Sequence, residues 1–369
     1  MRDRIVSKTY REWGFKMGLK VAIIAPWLVK CGIYTYTQDL ANALAKAGAE
    51  VYIVRLPRFG IKNVAILEDV VSRIPVDKVD IVTCQHEYGL YQGLDVSFYN
   101  TLKRLKKPIV TTMHAVGNWE VDGVIASVSD KVIVHNEFCK TRLGNYKNVE
   151  IIPHGATPSK AVPSGQAKKS LGIDPRIPVV GYLGFISSYK GIESIIDAMT
   201  KVENAGLLIG GGWHTDKDTE YIINLKETSL KALPNRVQWI GYVENERVPT
   251  VYGAIDILIY PSRFATESGA LITALSYGKA VITSSLPPFK EKERHGALMT
   301  FANTDDLATK IKLLLNDLNL KMQLEKGAMA YAESVSWDKI AEAHISLYEQ
   351  VIADRVKQES QNIVDKLQT

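Results

Sequence analysis

The sequence predicts an α/β protein with two doubly wound, Rossmann-like domains, each containing a parallel sheet. Apolar runs rich in β-branched residues alternate with amphipathic helical stretches along almost the whole chain, a pattern typical of parallel strands covered by helices. The chain has 369 residues, which is enough for two ordinary domains. Its hydrophobic fraction of 46% is typical of globular proteins and excludes a disordered or fibrous chain.

Each half of the chain contains a series of apolar runs that predict buried parallel strands. In the first half these runs are KVAIIAP, VYIVR, DIVTC, PIVTTMH, KVIVH and VEIIP. The stretch IYTYTQDLANALAKAG, which follows the first run, predicts a helix closed by glycine. The second half repeats the scheme with VVGYLGF, AGLLIGGG, RVQWIGYV, DILIYPS, KAVITSS and ALMTF.

The boundary between the two domains is predicted within residues 155–178, which are rich in Gly, Pro, Ser and Lys. After Trp337 the chain predicts one long helix. We therefore expect a basic leader over 1–19, one Rossmann-like domain over 20–157, a second over 158–336, and a closing helical segment over 337–369. Ligands of such domains bind at the carboxyl ends of the strands.

Composition and charge narrow the function classes. The three cysteines, Cys31, Cys84 and Cys139, are widely spaced and form no CxxC pair, so we expect free thiols and a cytoplasmic protein. The longest apolar runs fall short of the roughly 20 residues that span a bilayer. The net charge of +5 is too small to indicate a nucleic-acid partner.

Most of that positive charge lies in the leader. Residues 1–20 contain six basic and two acidic residues, a net +4, interleaved with Tyr10, Trp13 and Phe15. This pattern fits a weak peripheral membrane contact. It also fits a solvated leader ahead of a true start at Met17, and we favour that second interpretation.

Several strand ends carry residues suited to binding an anion or a sugar. No GxGxxG follows the first strand, which disfavours an NAD-dependent oxidoreductase, but Gly32 lies where the next helix should begin. Lys190 and Gly191 occupy the corresponding place in the second half. A lysine beside free helix N–H groups can hold a diphosphate and stabilise it as a leaving group, although a solvated surface lysine is the common alternative.

Two further stretches of the second half have the same placement. GGGWH, containing Gly211, follows an apolar run, and Ser268-Gly269 marks another helix start with Glu267 just before it. A carboxylate there can accept hydrogen bonds from two sugar hydroxyls. It can equally be a helix cap that favours the dipole.

Histidines recur after the strands of the first half. His86, His114 and His154 each follow an apolar run, at the strand ends where α/β enzymes bind ligands. Lone histidines are usually packing residues, yet this repetition favours a functional role for at least one of them. No HxH or HExxH spacing is present, so we expect no metal.

Taken together and in this order, these stretches resemble the GT-B retaining glycosyltransferases, in particular family four of the group 1 type. The resemblance runs from about Lys20 to Val351. It rests on six motifs, KCGIYTYTQDLANALAKAGAEVYIV, QHEYGLYQG, IIPHGA, GFISSYKGIESIIDA, GYVENERVPTVYGAIDILIYPS and ESGALITALSYGKAVI. It implies two domains facing each other across a cleft. It also implies retaining transfer of a hexose from a UDP- or GDP-linked donor to a glycan, lipid-linked or small-molecule hydroxyl, with no metal and no further cofactor.

The resemblance also implies roles for individual residues. Lys190, Glu267 and His114 would be catalytic, with Glu267 and His114 facing the donor sugar. The donor and its diphosphate would be held by Gly32, Ser188, Gly191, Gly211, Arg263, Ser268 and Gly269. His86, Glu87 and Tyr88 would lie beside the acceptor in the first domain, to which the closing helix would return.

Two departures from the family pattern favour an alternative. Phe185 stands where family members commonly carry an arginine. The second glutamate of the usual pair is replaced by Leu275, or by Thr273 if the alignment is fixed on Gly278, which also puts Ala265 in the place of the first glutamate. The alternative is a catalytically inactive GT-B module that binds a sugar nucleotide or a partner.

Overall fold

The computed structural model describes residues 3–5, 18–29, 31–212 and 218–367. Most of the predicted leader, including Met17, lies outside these residues. The chain divides into two compact units. Unit 1 runs to Gly155 and resumes at Trp337, and unit 2 is Ala156–Ser336.

Unit 1 contains a sheet in the order β1-β3-β2-β4-β5-β6-β7. The strands are β1 (Asp3–Ile5), β2 (Lys20–Pro26), β3 (Glu50–Leu56), β4 (Ile81–His86), β5 (Ile109–Met113), β6 (Lys131–Val134) and β7 (Val149–Ile151). β2 to β7 pair in parallel, while the short β1 is antiparallel to β3. The helices between them are α1 (Gly32–Lys46), α2 (Val64–Ser72), α3 (Asp95–Lys103), α4 (Trp119–Val128) and α5 (Glu137–Leu143).

Unit 2 contains a fully parallel sheet in the order β10-β9-β8-β11-β12-β13. Its helices begin with α6 (Ser164–Ser170). The strands are β8 (Val179–Leu183), β9 (Gly206–Gly210), β10 (Val237–Gly241), β11 (Ile257–Tyr260), β12 (Ala280–Ser284) and β13 (Met299–Phe301). The remaining helices are α7 (Glu193–Met199), α8 (Thr219–Ala232), α9 (Val248–Ala254), α10 (Gly269–Ser276), α11 (Pro287–Arg294), α12 (Thr304–Asn316) and α13 (Leu318–Ser334).

The chain ends in a long helix, α14 (Trp337–Leu367), that belongs to unit 1. Lys46 in α1 donates to Asp338 at 2.6 Å, and Arg355 pairs with Asp130 at 3.0 Å. Tyr348 of α14 is fully buried. Both charged contacts and the buried ring therefore attach this helix to the first sheet.

Burial explains why the sequences of the strands are continuous apolar runs. In β2, all residues from Val21 to Ala25 are fully buried, as expected when helices cover both faces of a parallel sheet. The two sheets with six parallel strands each confirm the predicted doubly wound α/β class.

Each sheet has one place where the strand order reverses. In unit 1 the chain passes from β2 to β3 on one side and then to β4 on the other, so the loops after β2 and β4 diverge. In unit 2 the same happens between β8 and β11. Such switch points leave a crevice at the carboxyl ends of the strands. Most of the predicted residues lie in these loops, whereas His114 follows β5 and Gly211 follows β9.

Candidate functional site

In unit 2, the loops that diverge at the switch point touch through a glycine. A single 3-10 turn, Ser188–Lys190, follows β8 and ends at Gly191, which has φ +66°. A Cβ on Gly191 would lie 2.5 Å from the carbonyl oxygen of Pro261, in the loop after β11. Only glycine combines this backbone conformation with so close an approach, so the turn is fixed against the neighbouring loop.

A second set of glycines exposes backbone beside this turn. Gly211 has φ +147°, and a Cβ there would lie 1.7 Å from the carbonyl oxygen of Gly184. A Cβ on Gly184 would in turn lie 3.3 Å from the Cβ of Ala270, in the first turn of α10. The ends of β8 and β9 and the start of α10 therefore meet with little side-chain cover, which lets a ligand approach the backbone.

Lys190 is a cation in the 3-10 turn that follows β8. Its side chain is half-buried, with Nζ 4.6 Å from the centroid of the Tyr189 ring. Among the residues that the structure describes, it has no hydrogen-bond or ion-pair partner. Burial lowers the pKa of Lys190 to about 8. A cation that has lost part of its hydration without gaining a counter-ion is suited to receive an anion.

Arg263, also predicted at the donor, has its charge already paired. Its guanidinium forms an ion pair with Glu193, and Nη1 donates to the Ser188 carbonyl at 2.9 Å. Its backbone N–H donates to the Tyr189 carbonyl at 2.8 Å. Ser188 thus contacts Arg263 through its backbone.

Glu267 is held in a buried ion pair. Its Oε2 accepts from Lys292 Nζ at 2.8 Å, and its Oε1 accepts from the Ser268 backbone N–H at 2.8 Å. The side chains of Lys292 and Glu267 are only 3% and 6% exposed. Burial acts to lower the pKa of Lys292, but Glu267, Tyr331 and Glu291 together outweigh burial, and the net pKa is raised.

Glu267 and Lys292 together fix the start of α10. Ser268 is the N-cap of this helix, with its hydroxyl accepting from Leu271 N–H at 3.3 Å, and Gly269 is the first helical residue. Sequence reasoning missed Lys292, because it lies 25 residues further along in α11 and carries no motif.

The positions that depart from the family pattern have no charged substitute. The Phe185 carbonyl accepts from the Tyr182 hydroxyl at 2.7 Å. Leu275 is fully buried in the core, and the Thr273 hydroxyl donates back to the Gly269 carbonyl at 2.9 Å. Neither Thr273 nor Leu275 provides a carboxylate.

In unit 1, His86 lies inside the domain. Its ring is fully buried and stacks on Tyr91 with centroids 5.0 Å apart. Nε2 lies 2.9 Å from the buried Asp95 carboxylate, in the first turn of α3. Glu87 accepts from the Gly89 backbone N–H at 2.9 Å. In this conformation His86 contacts Asp95, and a contact with an acceptor stays a prediction.

Tyr88 joins the loops after β4 and β5. Its hydroxyl donates to Asp122 Oδ1 at 2.5 Å, while Oδ2 of this buried carboxylate accepts from Gly117 N–H at 2.8 Å. Burial and the bond to Asp122 raise the pKa of Tyr88. Asp95 and Asp122 were missed because acidic residues in a first helical turn resemble ordinary caps.

His114 belongs to a group of histidines at the ends of β5, β6 and β7. Its Nε2 lies 2.9 Å from the Gln85 side-chain amide, and its Nδ1 lies 3.3 Å from Nε2 of His135. His135 Nδ1 lies 3.0 Å from the Ile152 carbonyl. The buried Tyr36 ring packs edge-on against His114 at 4.7 Å.

One assignment of protons allows all the hydrogen bonds from Gln85 through His114 and His135 to the Ile152 carbonyl to form while both imidazoles are neutral. His135 Nδ1–H donates to the Ile152 carbonyl, so His135 Nε2 accepts from His114 Nδ1–H. His114 Nε2 then accepts from the NH₂ of Gln85, since amide oxygen and nitrogen are interchangeable in position. This orientation pairs Gln85 Nε2 with His114 and puts Oε1 in the buried position that has no partner. Burial and then His135 hold the pKa of His114 well below its usual range.

Gly32 begins α1 beside the loop after β4. A Cβ there would meet no atom within 4 Å, so packing does not require glycine. Cys31 caps the helix, with Sγ accepting from Tyr34 N–H at 3.4 Å. The start of α1 is therefore open for a ligand to approach.

Two absences hold for the described parts of the chain. No helix there is long and apolar enough to cross a membrane. The same residues contain no group of three or more His, Cys, Asp or Glu side chains placed to hold a metal ion.

Comparison with known proteins bears first on unit 2. Residues 164–330 match the family model described as glycosyl transferases group 1. An uncharacterized glycosyltransferase of Methanocaldococcus jannaschii, MJ1607, is 24% identical over 188 residues, 49% of this chain and 47% of that protein. The chain spans about half the length of the first curated relatives that it matches.

Solved structures bear on the whole fold. Sucrose-phosphate synthase from Thermosynechococcus elongatus superposes with a TM-score of 0.76 at 19% identity, covering 91% of this chain and 100% of the other. Anabaena HepE in complex with UDP and glucose gives 0.74 at 17% identity, covering 90% and 100%. The chain thus has the GT-B fold of two Rossmann-like domains, and its residues 164–330 match the group 1 glycosyltransferase family.

Proposed function

We propose that the protein is a retaining, metal-independent family-four hexosyltransferase that uses a UDP- or GDP-linked sugar. The observation that carries the proposal is Lys190, a half-buried cation that has no counter-ion among the described residues and lies next to Gly191 in the loop after β8. The same loop begins at Gly184, which meets the start of α10. Free helix N–H groups and a desolvated ammonium together suit a diphosphate. The group 1 match over the same unit supports this assignment, as does the likeness to HepE, which was solved in complex with UDP and glucose.

The chemistry needs charge stabilisation more than a protein nucleophile. As the glycosidic bond breaks, negative charge grows on the departing diphosphate, and Lys190 would stabilise it. An acceptor hydroxyl would attack from the same face, which retains the anomeric configuration. The acceptor, a glycan, a lipid-linked sugar or a small molecule, would bind beside Glu87 and Tyr88, with neutral His114 near the donor sugar.

A nucleotide-release assay tests the proposal. The protein is mixed with UDP-, GDP- and ADP-sugars and varied acceptors. Lys190→Ala should reduce turnover by about 10²–10³-fold, the usual effect of losing one transition-state contact. Lys226→Ala is the matched control, because Lys226 is also half-buried and lies 5.6 Å from an aromatic ring, that of Trp239. Equal rates for the two variants would remove Lys190 from the mechanism.

The inactive binding module is the second candidate, favoured by Phe185 and by the absence of a carboxylate at Thr273 or Leu275. Nucleotide binding without turnover on any acceptor would select it. Cytoplasmic location stays part of the proposal, with weak membrane contact through residues 1–19 as the alternative to a solvated leader. Liposome flotation of the full chain against a version starting at Met17 tests that contact, and equal flotation would exclude it.

A further inference from the structure

We infer that Arg263 is a positioning residue that holds the Lys190 turn, and that it does not itself bind the diphosphate. This inference rests on the proposed function of Lys190. Arg263 contacts the turn twice, through its backbone N–H to the Tyr189 carbonyl at 2.8 Å and through Nη1 to the Ser188 carbonyl at 2.9 Å. The two residues that precede Lys190 are therefore both held by Arg263.

The other side of the guanidinium is held by α7. Nη2 of Arg263 pairs with Glu193 Oε1, and Oε2 of Glu193 accepts from the Tyr221 hydroxyl at 2.7 Å. Glu193 lies in the first turn of α7, two residues after Gly191. The planar guanidinium thus bridges the turn before Lys190 and the helix after it, which suits the fixed fork geometry of arginine.

The far end of the turn is fixed by the same loop. Gly191 seats against the Pro261 carbonyl, and a Cβ on it would lie 3.7 Å from the Arg263 Cγ. Lys190 is therefore flanked on both sides by backbone that the loop after β11 holds. This support explains how an unpaired lysine stays half-buried when its long side chain would otherwise move into water.

Arg263 and Lys190 differ in whether a counter-ion compensates their charge. Glu193 compensates Arg263, whereas Lys190 has no counter-ion among the described residues. A phosphate bound to the remaining N–H groups of Arg263 would lie beside the Glu193 carboxylate, which would repel it. A positioning role for Arg263 brings no anion next to that carboxylate.

The first test needs no nucleotide. In protein labelled with 13C at the lysine ε-carbons, the Lys190 resonance is assigned by its absence in Lys190→Arg, and its pKa is measured by titration. We expect a pKa of about 8 in the wild type. In Arg263→Met it should rise toward the ordinary value near 10.4, because the freed turn exposes the ammonium. Arg176→Met, which removes an exposed arginine paired with Asp174, should leave it unchanged.

Hydrogen exchange in α7 shows whether each variant is folded. Arg263→Lys keeps the positive charge but loses the planar guanidinium, so we expect an intermediate rise in the Lys190 pKa. An unchanged Lys190 pKa in folded Arg263→Met overturns the inference.

The second test is a double-mutant cycle on UDP and GDP affinity, measured by calorimetry. If Arg263 acts through Lys190, Arg263→Met weakens binding about tenfold in the wild type, and adds nothing in Lys190→Met. Glu193→Ala should behave like Arg263→Met, and Glu193→Gln, which keeps an acceptor oxygen, should lose less. If the losses of nucleotide affinity in the two single variants multiply in the double variant, Arg263 is a direct ligand and the inference is overturned. If neither nucleotide binds the wild type, the proposed function fails, and the lysine titration alone decides the positioning role.

Discussion

Around His114, unit 1 places neutral side chains in a hydrogen-bonded series, whereas around Lys190 unit 2 combines glycine backbone with ion pairs. Around His114, the partners are Gln85, His135 and a tyrosine ring. Unit 2 has glycine backbone at Gly191 and at the end of β9, and the ion pairs Arg263–Glu193 and Lys292–Glu267, while Lys190 has no counter-ion among the described residues. The two Rossmann-like units thus present different chemistry at the same topological position.

The difference in chemistry favours different ligand groups at the two units. Open backbone and an unpaired ammonium favour a diphosphate, while neutral imidazole, amide and phenol groups favour sugar hydroxyls. Four experiments test this difference between the units.

The largest effect is expected from the buried ion pair of unit 2. Lys292→Met leaves the Glu267 carboxylate buried without its counter-ion, and should lower the free energy of unfolding of unit 2 by about 3–5 kcal/mol. Asp95→Asn in unit 1 should lose only about 1 kcal/mol, because an amide oxygen can still accept from His86. Hydrogen exchange of peptides from α10 and β4 resolves the two units. Equal losses would show that breaking the Glu267–Lys292 ion pair costs no more than weakening the His86–Asp95 contact. Lys292→Met combined with Glu267→Gln should recover most of the stability.

The second largest effect is expected when a glycine of unit 2 is replaced by alanine, and a glycine of unit 1 serves for comparison. Gly211→Ala places a Cβ against the Gly184 carbonyl in a strained backbone conformation, and should destabilise unit 2 by about 3 kcal/mol. Gly32→Ala meets nothing within 4 Å, and should change the stability of unit 1 by less than about 1 kcal/mol. Urea unfolding followed by hydrogen exchange measures both. A mild Gly211→Ala would show that close backbone contact is not what requires this glycine.

Low pH should lower the free energy of unfolding of unit 1, because some of its histidines are buried in the neutral form. Burial lowers the pKa of His344 in α14 to about 4, against about 6.5 in an unfolded chain. The unfolded state therefore takes up a proton first, so stability is complete above pH 6.5 and is lost as the pH falls toward 4. At pH 5 the loss from this residue is about 2 kcal/mol. His344→Phe should flatten the pH profile of unit 1, and an unchanged profile would rule out this histidine as the cause.

The smallest effect concerns nucleotide binding at high pH. The Lys190 ammonium, with a pKa of about 8, is fully charged well below that pH and loses its proton above it. UDP affinity should therefore fall by up to about tenfold between pH 7 and pH 9, because the neutral amine attracts no anion. Calorimetry measures the profile. The decline should disappear in Lys190→Met and persist in His114→Gln, and a decline that depends on His114 would place the anion in unit 1.

The fold could be predicted from the sequence because alternating apolar runs and helical patterns are local signals. The candidates near Lys190, Gly211 and Ser268 could be proposed for the same reason, since each lies directly after a strand. Lys292 and Tyr221 could not, because their roles come from partners 25 and 28 residues away. Single-residue spacing carries no information about such pairs, and the same holds for Asp122 and Tyr88.

The return of α14 to unit 1 also bears on how the chain acquires its structure. Unit 2 is one continuous segment, Ala156–Ser336, whereas unit 1 needs residues from both ends of the chain. During synthesis, all of unit 2 is available before Trp337 has been made, and Trp337 is the ring that packs on Gly155. The second unit can therefore complete its folding first, while the first must wait for the last helix to emerge from the ribosome.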